Sequence, residues 1–176
     1  GENFGKSVPA IFTDEPQVHV GANAVLANGF DTRDTIFAWT TTFADTFEQT
    51  YGYSILDKIP ELAWNLEGNK PSQARYHYYD HVTERFANAF ADQCGRWCDE
   101  NGISLTGHVM QEGHLETQAK SVGETMRSYR GFGIPGIDML CDAVELSTAK
   151  QTQSAVHQYG KEAMLSELYG VTGWGF

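Results

Sequence analysis

The sequence predicts an α/β fold: half of a parallel eight-stranded barrel, with four parallel strands, intervening helices and a long lid inserted after the first strand. Three observations point there. Short apolar runs, as in VPAIF at 8–12, ISL at 103–105 and AML at 163–165, lead into carboxylates or histidines. Helical patterns separate the runs, and strand–helix alternation implies parallel strands with helices packed outside. A complete barrel takes about 250 residues, whereas the 176 residues here supply four strands once the lid is set aside. We read residues 1–176 as a single domain with the lid at about residues 17–70.

The first strand is VPAIFTDEP at 8–16. It carries Asp14 and Glu15 at its end, and Pro16, which has no N–H for the ladder, stops it. In the lid, Phe43 and Phe47 at helical spacing predict a helix over 41–51, and a second helical stretch over 53–59 is expected to end at Pro60. Trp39, Tyr51, Tyr53 and Trp64 are either lid core or a wall on which a sugar ring stacks. Residues 71–101 read as the longest helix, opened by Pro71 in its first turn and closed by Asn101-Gly102. Its expected buried stripe is Tyr79, Val82, Phe86, Phe90, Cys94 and Trp97. His77 and His81 have the spacing of a metal pair, but the glutamate that accompanies such a pair in zinc proteases is missing, so they read as scaffold. Cys94 and Cys98 read as buried thiols.

The second strand, 103–110, runs out into Gln111, Glu112, Gly113 and His114, with His108 near its end. A helix over 116–130 follows. GFGIPG at 131–136 has the glycine spacing of a dinucleotide fingerprint, but that motif must follow a strand and open a helix, and this one does the reverse. It reads as a tight turn into a third strand, 137–140, carrying Asp138, with Asp142 just beyond. A helix over 146–159 leads to KEAMLSELYG at 161–170, a strand that delivers Glu167, and the sequence closes on VTGWGF with Trp174.

Parallel barrels place their chemistry at the C-terminal ends of strands. Two carboxylates there, Glu15 and Glu167, are what glycoside hydrolysis needs, one to protonate the leaving oxygen and one to attack or to activate water. Asp14, Trp39, His108, Glu112, His114, Asp138 and Trp174 are the expected substrate contacts. Glu112 with Glu167 is an alternative working pair, a metal-dependent hydrolase using His108, Glu112 and His114 is a further alternative, and an inactive sugar-binding barrel piece is a third. No metal and no cofactor is expected. The net charge of -11 argues against nucleic acid and anionic membrane surfaces and suits a neutral carbohydrate. No apolar run approaches the roughly 20 residues of a membrane span, and no signal pattern follows Gly1.

The phrases IFTDEP (11–16), YGYSILDKIPEL (51–62), ARYHYYDHVTERFANAF (74–90), SLTGHV (104–109) and SELYGVTGW (166–174) resemble the catalytic domains of TIM-barrel glycoside hydrolases. The resemblance is to the broad clan of β-galactosidases and β-glucuronidases and to bacterial α-L-rhamnosidase-like enzymes. It implies Glu15 as acid/base and Glu167 as nucleophile of a retaining, exo-acting enzyme, with the carboxylates roughly 5 to 5.5 Å apart. Asp14 stands where that clan has asparagine. A half-barrel leaves two sheet edges and an apolar face open, so a homo-oligomer is expected, in one form two halves completing one barrel.

Overall fold

The computed structural model describes residues 1–18, 35–140, 145–171 and 173. Four parallel strands, β1 (Ala10–Thr13), β2 (Ser104–Gly107), β3 (Ile134–Met139) and β4 (Leu165–Leu168), form one sheet in sequence order, curled into a half-barrel with helices between the strands. Ala10 pairs with Ser104 and Thr13 with Gly107, while Gly136 pairs with Leu165 and Met139 with Leu168. The β2–β3 ladder is the shortest, Thr106 to Ile134 and Gly107 to Pro135, because Pro135 cannot donate. The Thr106 hydroxyl donates to the Ile134 carbonyl at 2.8 Å and supplies part of what the ladder lacks. Gly107 has φ +124°, and a Cβ there would strike the Thr13 carbonyl, so only glycine lets β1 and β2 close at this point.

The long helical arm is one continuous run made of α3 (Gln73–Phe86), a π-helical segment (Ala87–Asp92) and α4 (Gln93–Glu100). It begins after Pro71, not on it: Ser72 caps it, its hydroxyl accepting from Ala74 N at 3.0 Å and Arg75 N at 3.4 Å. The expected stripe of large side chains is corrected as well. The buried line is Tyr78, Val82, Ala87, Ala91, Gly95 and Cys98; Phe86, Phe90 and Cys94 are partly buried, and Trp97 is 48% exposed. Small residues won these places because another backbone presses close. A Cβ on Gly95 would meet the Gly131 carbonyl, and one on Gly131 would meet the backbone of Ala91.

Three further boundaries differ from the sequence reading. Pro60 does not end a helix but sits in the first turn of α2 (Ile59–Ala63), following α1 (Phe43–Tyr51) and a 3-10 turn at Leu56–Lys58. The helix expected over 116–130 is α5 (Leu115–Ser121), α6 (Thr125–Ser128) and a 3-10 turn (Tyr129–Gly131). It breaks at Gly123, φ +83°, where the Thr83 side chain leaves no room for a Cβ. β3 begins at Ile134, so the glycine turn ends by Gly133. Helix α7 spans Leu146–Tyr159 as expected and stops at Gly160, whose φ of +63° makes a left-handed cap.

Two cores result. Ile103, Leu105, Val109, Val122, Tyr129, Phe132 and Ala155 bury the outer side of the sheet against the helices. Phe43, Phe47, Ile55, Leu62, Ala74, Tyr78 and Val82 join the lid helices to α3. Arg127 and Arg130 tie the arm down from the α6 side: Arg127 Nη2 donates to Asp80 at 2.8 Å, and Arg130 Nη2 donates to Glu84 and to Asp92, each at 2.8 Å.

Candidate active site

The parallel register brings the ends of all four strands to one edge. Asp14 and Glu15 follow β1 and His108 follows β2. Asp138 lies in β3 directly opposite Glu167 in β4, so Glu167 is part of the ladder and not just past the strand. His108 is fully buried, and its Nε2 lies 3.0 Å from Glu167 Oε2 and 3.5 Å from Asp14 Oδ1. Two carboxylates facing one ring nitrogen place the proton on Nε2, which donates to Glu167. Nδ1 is buried without a partner, and the Phe12 ring stands edge-on to the imidazole with centroids 5.6 Å apart.

Beside this pair is a cleft of about 260 Å³ lined by Glu15, Glu112, His114, Asp138 and Glu145, among others. Glu15 (φ 44°) and Gln111 (φ 61°) at its rim both have left-handed backbone, a conformation that costs a non-glycine residue of order 1 kcal/mol or more. Glu112 is only 7% exposed. Burial pushes its carboxyl up to about 7, against the opposing pull of the Asp138 N–H, which donates to Oε1 at 3.1 Å, and of His108. Asp138 is also raised, first by burial, with His108 opposing and the charges of Glu167, Glu15 and Asp14 adding; its Oδ1 is buried and unpartnered.

Of the residues expected at the site, Glu15, Glu112, His114 and Asp138 therefore share one cleft, while Asp14 and Glu167 converge on His108 at the same strand ends, with Glu167 hydrogen-bonded to it. Trp39 is elsewhere: it packs on Phe43 at 4.6 Å and lines an apolar pocket with Phe37 and Val82. Tyr51, Tyr53 and His77 also pack together in the lid, Tyr51 stacked on His77 at 4.3 Å. Asp142 and Trp174 lie outside the described residues.

Among the described residues, Asp14, His108 and Glu167 bring three ligand atoms within 4.8 Å of one another, the one group of three or more that has a metal-binding spacing; His108, Glu112 and His114 do not form such a group. One imidazole nitrogen and two carboxylate oxygens suit a divalent cation of borderline hardness.

Sequence reasoning missed Gln118 and Gln151, whose side chains hold the loop that carries Glu112. Gln118 Nε2 donates to the Glu112 carbonyl at 2.8 Å and to Gln151 Oε1 at 3.0 Å. A glutamine within a helical pattern carries no signal of such a role.

The cluster of carboxylates around buried His108 stands at the C-terminal ends of the parallel strands, the edge at which barrel proteins gather their loops. No family model and no curated protein matches the chain. Among solved structures, a rhamnosidase from Novosphingobium sp. PP1Y has a similar fold, with a TM-score of 0.58 and 16% identity over 77% of this chain. The chain spans 13% of the length of that protein.

Proposed function

We propose that this chain carries the catalytic face of a glycoside hydrolase acting on a terminal neutral sugar. The observation that supports it most is Glu112. A carboxyl with its proton affinity raised to about 7, in a cleft beside other carboxylates, suits a general acid near neutral pH, the role glycoside hydrolysis demands of one of its two carboxyls. Glu167, hydrogen-bonded to His108 Nε2, is the partner nucleophile, and the course is the retaining one that the sequence resemblance implies. Glu15 lines the same cleft and is the competing candidate for the acid. The fold it shares with a rhamnosidase agrees with the reading.

A panel of nitrophenyl glycosides tests it, with wild type, Glu112→Gln, Glu15→Gln and Glu167→Gln compared after near-UV circular dichroism has verified folding. Release of nitrophenol that vanishes in Glu167→Gln supports the reading, and whichever of the other two variants loses the activity with it identifies the acid. Turnover that survives Glu167→Gln overturns the assignment. NMR of the first-formed anomer reads retention directly.

The Asp14, His108 and Glu167 group favours one second reading, a metal-assisted hydrolase. Activity lost to a chelator and restored by a divalent cation would select it. Self-association belongs to the same proposal: Ile11 and Phe12 on edge strand β1 and Leu168 on edge strand β4 are exposed. Light scattering on the 176-residue chain tests this, and a monomer at every concentration would refute it.

A further inference from the structure

We infer that Gln118 is a positioning residue: its side-chain amide, assisted by that of Gln151, clamps the Glu112 backbone carbonyl and thereby fixes the Glu112 carboxyl in its buried place. The inference rests on the reading of Glu112 as the proton donor. Gln118 is itself buried, and its amide is fully used. Nε2 donates to the Glu112 carbonyl at 2.8 Å and to Gln151 Oε1 at 3.0 Å, and Oε1 accepts from Thr125 N at 3.1 Å. Gln151 Nε2 adds a longer contact to the same Glu112 carbonyl at 3.5 Å. One amide thus joins the 111–114 loop to α5, α6 and α7.

The loop needs such a clamp. Gln111 is held at φ 61°, and the Thr117 hydroxyl lies 2.9 Å from both the Gln111 and the His114 carbonyls, yet neither contact reaches Glu112. The carboxyl accepts from Asp138 N, while the peptide that carries it is held by the glutamines. With the clamp gone, the loop is free to turn Glu112 toward water, where a carboxylate is well solvated, and the residue's affinity for its proton falls. The charged and titratable groups around it are His108 from β2, Asp138 from β3, Tyr129 from the turn before β3, and, across the cleft, Glu15, His114 and Glu145. Three of the six are carboxyls, and none is substituted in the variants below, so a change in Glu112 reports its own displacement.

The test is the titration of Glu112 by carboxyl carbon NMR on the full chain labelled at glutamate, with the resonance assigned by its loss in Glu112→Gln. Gln118→Met retains length and volume while removing donors and acceptor. The expected result is a Glu112 midpoint at least about one pH unit lower than in wild type, a tenfold loss of proton affinity, with the near-UV spectrum preserved. A smaller fall in the same direction is expected in Gln151→Met. An unchanged midpoint in folded Gln118→Met overturns the inference. Should Gln118→Met fail to fold, Gln151→Met decides, and an unchanged midpoint there overturns it equally. The titration needs no substrate, so a chain that hydrolyses no glycoside sinks the glycosidase reading and leaves this result standing.

Discussion

The lid core and the strand-end cluster are built from the same residue types and differ in how those residues are satisfied. In the lid, polar groups answer one another. Tyr51 donates to Asp80 at 2.6 Å, Asp80 accepts from Arg127, the Tyr53 hydroxyl lies 2.9 Å from His77 Nδ1, and His81 Nε2 lies 2.9 Å from the Thr46 hydroxyl. Among the described residues, no buried side-chain polar atom of this region lacks a partner, whereas His108 Nδ1 and Asp138 Oδ1 at the strand ends do. An unpartnered buried group costs on the order of 1–3 kcal/mol; the Thr125, Ser128 and Thr152 hydroxyls behind the sheet are also without partners. Two histidines four residues apart on a helix are therefore scaffold here, and the buried histidine after β2 is the one left with an unpartnered ring nitrogen.

The sharpest way to break this contrast is through turnover. On the glycosidase reading, Glu112→Gln lowers kcat/KM by about 10²- to 10⁴-fold, the range for loss of a general acid, while Tyr53→Phe in the lid leaves it near wild type. In wild type, kcat/KM is expected to fall as pH rises past about 7, where Glu112 loses its proton, and a pH–rate profile reads this directly. An equal loss in both variants would erase the distinction between the two regions.

Glu112 also leaves a mark on stability. Its folded affinity for the proton exceeds the ordinary value of 4.5, so the folded state is favoured at low pH and loses stability as pH rises from about 4.5 to about 7. A shift of that size corresponds to about 3 kcal/mol at most. Urea melts at pH 5 and pH 8 are expected to differ by less in Glu112→Gln than in wild type, and equal differences would mean that the carboxyl is not buried in solution.

How much of this was legible beforehand follows from what each feature needs. The strand ends were readable at Asp14, Glu15 and His108, because an apolar run stopping at a charge is a local pattern; Glu167, read as following the run at 163–165, lies inside β4 instead. The π-helical segment and the small-residue line Ala87, Ala91 and Gly95 were not, because they answer to a backbone some 40 residues away in sequence at Gly131. Gly131→Ala tests that contact. Its Cβ would press on the Ala91 peptide, and the expected cost is about 1–3 kcal/mol, the usual range for overpacking, measured as a lower urea midpoint with unchanged m-value. The clamp by Gln118 was illegible for the same reason, since it depends on three helices meeting behind one loop.

The smallest expected effect separates the two regions by sign. Burial lowers the proton affinity of His81, Arg85 lowers it further, and Asp80 and Glu84 oppose. A histidine depressed in the folded state contributes stability that is present above its ordinary value of 6.5 and is lost as pH falls through the lower folded value. Acid therefore loosens the lid, where α1 meets α3 through the Thr46 contact, while the same acid favours the buried, protonated Glu112. Amide hydrogen exchange at pH 7.5 and pH 5, corrected for intrinsic rates, is expected to show protection of α1 falling with pH and protection in the 111–114 loop rising. His81→Phe, which retains the ring and removes the titration, is expected to abolish the first trend and leave the second. Parallel trends in both regions would mean that they open as one unit, and that the division between a self-satisfied lid and an unsatisfied site has no counterpart in the energetics.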